Sequence, residues 1–377
     1  MNRNQHFPRD LLSKPIAERI KYFDSCKIQH AMLEDVSKKM EQALHSHASP
    51  KIILIAGPTG VGKTTLASTL HNRIIDQYAE QMDRERDFVP ILKVNAIAPN
   101  GASFNWKDFY IRILGVADEP LIERKVPTRR QLTFFPDDRQ ESIHQKEATD
   151  VLRRSVENCL RRRRTKYLII DEAHHVLMVN NPQRLEFQFE ALKSLAIETQ
   201  ATIILVGTYR LLDIRDQSGQ LVRRSEIIHF PRYDHHQKQD QIGFVNALDT
   251  LAGKLPLDEF PQLQDHAEQF YHRTVGCVGI LKEWLSRAYA RHLETNNKNF
   301  NWEFIEKFAL SVKALETIAG EALLGEEKLR DNPVADLINL LNSGQLPTTS
   351  KRTRKTNTTV GKRSPVRDPV GGVYAGA

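Results

Sequence analysis

The eight residues Gly57-Pro58-Thr59-Gly60-Val61-Gly62-Lys63-Thr64 constrain this chain more than any other stretch. They fit the phosphate-loop pattern G-x-x-x-x-G-K-[S/T], and their flanks supply the context that the pattern needs. The apolar run Ile52-Ile53-Leu54-Ile55-Ala56 reads as a buried strand, and Thr65, Leu66, Ala67 and Leu70 open a helix after the loop. Glycines let the backbone curl until successive N–H groups converge on phosphate oxygens, and the helix N-terminus adds positive potential. In such a loop Lys63 neutralises the β- and γ-phosphates, and the Thr64 hydroxyl ligates Mg²⁺. The expected ligand is ATP with Mg²⁺, held by residues 57–64 and by Thr65 beside them.

With 377 residues, 40% of them apolar, the chain is long enough for two or three domains with a large core. Its three cysteines, Cys26, Cys159 and Cys277, are widely spaced and form no C-x-x-C pair, as expected of a reduced, cytoplasmic protein. Residues 1–8 lack the apolar core of a signal peptide, and no apolar run approaches the ~20 residues that span a bilayer. The net charge is +7, but it is concentrated in the tail. From residue 345 onward, Lys351, Arg352, Arg354, Lys355, Lys362, Arg363 and Arg367 face only Asp368, so the tail holds six of the seven net charges. A uniformly basic body that coats DNA is therefore not expected, although local patches are.

Taken in order, residues 1–50 read as two amphipathic helices packed on a nucleotide domain. Residues 51–233 alternate strand and helix, with strands near 51–56, 88–94, 167–172, 201–207 and 226–230. That pattern predicts an α/β fold, a parallel sheet flanked by helices. Residues 121–138 read as a loop or insertion bearing Pro and Arg. Beyond Asp234 the strand signal stops, which predicts a small all-helical lid over 234–317, with helices near 235–252, 261–273, 276–293 and 301–317, and further helices over 318–343. The tail 344–377 is rich in Thr, Ser, Pro, Lys, Arg and Gly and is expected to be disordered.

A phosphate loop needs a second carboxylate site, and Ile169-Ile170-Asp171-Glu172 supplies it at a strand end. Asp171 is expected to close the Mg²⁺ shell through water and Glu172 to polarise the attacking water. The run Asp171-Glu172-Ala173-His174 also spells a helicase box, but no second strand-bearing domain follows to complete a helicase motor. His174 and His175 read as polar residues opening the next helix rather than as metal ligands. Gly207-Thr208 ends a central strand, where an AAA+ P-loop core places its first sensor. Arg223 and Arg224 precede the fifth strand, where that class keeps an arginine that reaches a neighbour's nucleotide. The second sensor, an arginine in a G-x-x-R setting, is missing. Gly276-Cys277-Val278-Gly279 has glycine there, and Lys282 and Arg273 are out of register. Slow hydrolysis, used as an assembly switch, is the expected consequence.

Together these features resemble the TniB/TnsC family of transposon-encoded AAA+ regulators. The resemblance is carried by Pro15-Ile16-Ala17-Glu18-Arg19-Ile20 before a helix, the phosphate loop, Asp171-Glu172 and Gly207-Thr208. It continues where Leu221-Val222-Arg223-Arg224 runs into Ile227-Ile228-His229-Phe230-Pro231. It implies an ATPase that forms head-to-tail homo-oligomers, as a ring or filament on double-stranded DNA. Such a protein recruits a transposase and is positioned by a target-selector protein. DNA contacts are expected from Lys107, from Arg124, Lys125, Arg129 and Arg130 in the insertion, and from the arginine run 161–164; the basic tail would bind DNA or the transposase. The alternatives are a helicase loader or replication initiator, which would usually append a winged helix, and a signalling ATPase, which would usually carry a sensor or repeat domain.

Overall fold

The computed structural model describes residues 6–45, 52–99, 101, 103–122, 138–177, 182–215, 225–295 and 299–343. Five strands form one parallel sheet: β1 (Ile52–Ala56), β2 (Ile91–Asn95), β3 (Tyr167–Asp171), β4 (Thr202–Gly207) and β5 (Ser225–His229). The spatial order is β2-β3-β4-β1-β5. Every strand of the interior is a run of Ile, Leu and Val, as expected where helices cover both faces. The second strand begins at Ile91 rather than at residue 88, because Pro90 has no N–H to offer a ladder.

Register brings the functional residues to one edge. Ala56 pairs with Gly207 on β4 and with His229 on β5, so the three strands end level. Asp171, the last residue of β3, pairs with Asn95. β1 lies between two strands that follow it late in the chain, so the crevice above its C-terminal end is a topological switch point, where α/β sheets bind ligands.

Ile52, Leu54, Val94, Leu168, Ile170 and Leu205 face one way and pack with the helices Trp106–Val116, Asp138–Arg162 and Pro182–Thr199. Ile53, Ile55, Ile169, Ile204 and Val206 face the other way, against Leu66, Leu70 and Ile74 of the helix Lys63–Gln77. Leu33, Val36, Met40 and Ala43 of the helix Ala31–His45 join this second face. Each such buried side chain larger than Ala is worth about 1.5–3 kcal/mol, enough in sum to hold that helix on the sheet.

The first N-terminal helix, Ile16–Ser25, does not share that seat. Its Phe23 packs edge-on against Tyr289 at 5.8 Å, inside a third cluster built from Phe244, Leu248, Phe270, Trp284 and Leu285. The reading that placed both helices on the nucleotide domain thus holds for the second alone. Beside Phe23, the Arg19 guanidinium donates to Pro256 O at 2.6 Å and the Lys282 ammonium to the carbonyls at the end of this helix, so apolar and polar contacts together seat it there.

After β5 the described residues contain helices and no strand: Lys238–Lys254, Ala267–His272, Val278–Thr295, Trp302–Ile305 and Val312–Leu329. The helix expected over 301–317 is broken, because a fresh start follows Ser311, whose Oγ accepts from the Ala314 N–H at 3.3 Å. Residues 1–329 form one compact unit. A second unit begins at Arg330, and its described helix, Val334–Ser343, exposes Val334, Leu337, Ile338 and Leu341. No helix among the described residues is long and apolar enough to cross a membrane. Cys26, Cys159 and Cys277 are unbridged.

Candidate nucleotide site

The phosphate loop leaves β1 at Ala56 and closes on Gly62, the residue that caps the helix Lys63–Gln77. Gly60 (φ +80°) and Gly62 (φ +107°) lie in the left-handed region that favours glycine. Gly57 needs its missing side chain for another reason: a Cβ would stand 2.2 Å from the Phe230 carbonyl oxygen. Phe230 is fully buried beneath the loop, and its N–H donates to Ala56 O at 2.8 Å. Helical bonding starts with Leu66 N–H to Gly62 O, which leaves the preceding N–H groups without helical partners and available to an anion. Thr64 is exposed at this terminus and Thr65 half-buried beside it.

Lys63 is buried, and its ammonium donates to the carbonyls of Gly57 (3.0 Å) and Pro58 (2.7 Å). Burial lowers its pKa to about 8, although Glu172 and Asp171 pull the other way. Asp171 is only 2% exposed, and Lys93 of β2 reaches it at 3.6 Å while donating to Ser68 Oγ at 2.8 Å. Sequence reasoning missed Lys93. Its signal was a single charge in an apolar strand, at a position that the parallel register sets beside β3.

Glu172 follows with a positive φ of 53°, its N–H accepted by the Asp171 carboxylate at 3.0 Å. A non-glycine residue in this region costs of order 1–3 kcal/mol and persists where surroundings impose it, often at functional sites. The Glu172 side chain is partly exposed, and its Oε2 lies 3.2 Å from His174 Nδ1. His174 and His175 do not open the next helix, which begins only at Pro182; they form the 3-10 turn Ala173–His175 above the sheet edge. Burial, then the nearby His175, Arg210 and Lys63, lower His174 to about 4, so the ring is neutral at pH 7.

Thr208 stands at the tip of β4 and caps the 3-10 turn Tyr209–Leu211. Its Oγ1 is buried and has no hydrogen-bond partner. A buried hydroxyl without a partner costs about 1–3 kcal/mol, and a phosphate or water oxygen in the crevice would relieve it. Beside it lies a cavity of about 250 Å³, bounded by Pro58, Thr59 and Arg210 and, across from them, by Glu321, Gly325 and Lys328 of the helix Val312–Leu329. Gly325 is pressed on the Tyr209 ring, where a Cβ would come within 2.0 Å of Cδ2, and Glu326 accepts two bonds from Arg232 at 2.9 and 3.2 Å. Tyr209 OH in turn meets His229 Nε2 at 2.8 Å.

The position expected to hold a second-sensor arginine touches the loop directly. Gly279 N–H donates to Gly60 O at 2.6 Å. Neither alternative cation is present there. Lys282 donates to the carbonyls of Asp24 and Cys26 at 2.7 and 2.6 Å, and Arg273 to Glu306 at 3.0 Å.

The DNA candidates divide. Lys107 is half-buried on the helix Trp106–Val116. The arginine run is engaged within the protein: Arg162 pairs with buried Glu119 at 2.8 Å, Arg163 donates to Asp118 O, and Arg164 pairs with Glu85 and Asp87. These bonds lie before the start of β3, at the sheet edge opposite the crevice. Arg124, Lys125, Arg129, Arg130, Arg223, Arg224 and the basic tail lie outside the described residues.

A family model described as "AAA domain" matches residues 46–214. No curated protein sequence matches the chain. Among solved structures the chain is similar to the Aeropyrum pernix ORC2 protein in its ADPNP–ADP complexes, at 16% identity and a TM-score of 0.48, over 84% of this chain and 74% of that one. It is also similar to Drosophila ORC bound to DNA, at 11% identity and 0.47, over 91% and 87%. A third is the Walker-type ATPase of Pyrococcus abyssi, at 15% identity and 0.45, over 85% and 81%. The matched domain, the parallel five-strand sheet and the helices after it make this an AAA+ P-loop ATPase fold.

Proposed function

We propose that this AAA-domain chain is an ATP-driven assembly switch that works on duplex DNA and regulates transposition by recruiting a transposase. The observation that carries the switch is the gathering of Lys63, Asp171, Glu172 and the unpartnered Thr208 hydroxyl at one sheet edge, against a lid residue, Gly279, that bonds to the loop itself. The Lys63 ammonium exchanges its bonds to the Gly57 and Pro58 carbonyls for phosphate oxygens. Thr64 and Asp171 are the residues that would hold Mg²⁺, which supplies charge neutralisation when bound. Glu172 accepts a proton from the attacking water, and Thr208 donates its hydroxyl to the γ-phosphate or to that water.

The lid offers glycine where a cation would speed the reaction, so a single copy is a slow ATPase. Arg223 and Arg224 of a second copy, docked head-to-tail, supply the missing charge and couple hydrolysis to assembly. The DNA and transposition part rests on the sequence resemblance and on the basic insertion and tail. Helices without a strand among the described residues after His229 support it over an initiator that carries a β-winged helix.

The test compares duplex DNA binding with a non-hydrolysable ATP analogue and with ADP, across salt. Large assemblies with the analogue alone, and affinity that falls steeply with salt, are expected. Lys63→Ala should abolish them and Glu172→Gln should make them persist. Equal binding with both nucleotides would refute the switch. Stimulation of a replicative helicase loading reaction, in place of strand transfer by a transposase, would select the initiator or loader alternative.

A further inference from the structure

The chain leaves β3 through a turn that collects three donor atoms which ATP hydrolysis does not need together. Glu172 Oε2 and His174 Nδ1 are 3.2 Å apart, and the His174 and His175 ring centroids are 4.2 Å apart. One donor atom from each of the three residues lies within 4.8 Å of the other two, and all three side chains are half-buried. His174 Nδ1 is shut from solvent and makes no hydrogen bond, so its approach to the carboxylate is not a hydrogen-bonding one.

Two imidazoles and a carboxylate suit zinc and its neighbours, whereas Mg²⁺ takes oxygen ligands and keeps several waters. Donors on one tetrahedral zinc ion, each at about 2.1 Å, lie about 3.4 Å apart. The present spread, at most 4.8 Å, closes to that by up to about 1.4 Å through rotation of the two imidazoles and the Glu172 carboxylate about their side-chain torsions. The remaining coordination position would stay open to water, as in sites with three protein ligands.

We propose that Glu172, His174 and His175 form a second cation site, for a transition metal of the zinc class, whose occupancy arrests hydrolysis by withdrawing the Glu172 carboxylate. The binding rests on the donor geometry alone. The arrest rests also on Glu172 as the proton acceptor of the proposed function.

The experiment titrates the nucleotide-free full chain with Co²⁺, a spectroscopic stand-in for zinc, and follows its visible absorption. The expected result is a band of four- or five-coordinate Co²⁺ that Zn²⁺ bleaches and that His174→Ala and His175→Ala each remove, with circular dichroism showing that both variants fold. No band in the wild type, or a band unchanged in both variants, overturns the site. Mg-ATP hydrolysis is then measured with added Zn²⁺, each protein against its own zinc-free rate. Inhibition of the wild type that weakens by about tenfold or more in both histidine variants supports the arrest. A histidine-dependent band without inhibition upholds the metal site and overturns the role of Glu172. Inhibition that persists equally in both variants overturns the proposed arrest.

Discussion

Gly279 donates its backbone N–H to the carbonyl of Gly60 at 2.6 Å, and a Cβ at 279 would stand 2.4 Å from that same oxygen. The lid helix Val278–Thr295 is thus in backbone contact with the phosphate loop, a seat that only glycine permits. An arginine at this position would have to lift the lid. The absence of a second-sensor arginine and the close seat of the lid are therefore one structural fact.

Gly279→Ala should separate the two surfaces. The clash is with backbone, which cannot rotate aside, so a cost of about 1–3 kcal/mol is expected, together with a smaller thermal shift on adding an ATP analogue. Gly115→Ala is the control, since a Cβ there meets nothing within 4 Å in the helix Trp106–Val116. It should be neutral or stabilise by about 0.5–1 kcal/mol. Thermal unfolding with and without nucleotide reads both variants, and equal behaviour of the two would remove the claim for Gly279.

Nucleotide affinity should depend on pH through Lys63. Burial holds its pKa at about 8 in the free protein, while a neighbouring phosphate favours the ammonium form and raises it. The bound state keeps a proton that the free state loses as pH rises through 8. Affinity is therefore level below that value and falls above it, by up to about tenfold per pH unit until the bound-state pKa is reached. Calorimetry in two buffers of different ionisation enthalpy should show proton uptake on binding near pH 9. Binding without proton uptake there would contradict this account.

Thr208→Val should move stability and hydrolysis in opposite directions. The substitution removes a buried hydroxyl that has no partner in the nucleotide-free protein, so stability should rise by up to about 1–3 kcal/mol. The same loss takes a donor from the developing phosphate charge and should lower the hydrolysis rate about 10²-fold. Chemical denaturation and steady-state turnover separate the effects. A variant that loses stability and keeps its rate would make Thr208 a structural residue.

Much of this site was legible in the chain because its signals are local. A strand, a glycine loop and a helix start are contiguous at 52–70, and Asp171-Glu172 and Gly207-Thr208 each end an apolar strand. The rest depends on pairings across long separations, for which a single sequence carries no signal. Lys93 meets Asp171 only because β2 and β3 are neighbours. The arginine run reads as a basic comb until Glu119, Glu85 and Asp87 are found opposite it. His174 and His175 read as helix openers because nothing local says that a turn will fold them back toward Glu172.

The seat of the helix Val312–Leu329 is the least local feature, and it can be tested by a double-mutant cycle on Arg232 and Glu326. The pair is bidentate and mostly shielded, with side chains 16% and 25% exposed. An exposed pair would contribute at most about 1 kcal/mol. Here the charge-assisted, forked geometry should give a coupling of about 1–3 kcal/mol. Gly325→Ala attacks the same seat without touching charge, since its Cβ would drive the Tyr209 ring from His229. Both routes should raise amide exchange over 312–329 and open the cavity beside Thr208, while exchange in β1 and β3 stays slow. If the cycle shows no coupling and Gly325→Ala leaves exchange unchanged, the helix is held by its buried Leu315 and Ala322 instead, and the polar contacts are incidental.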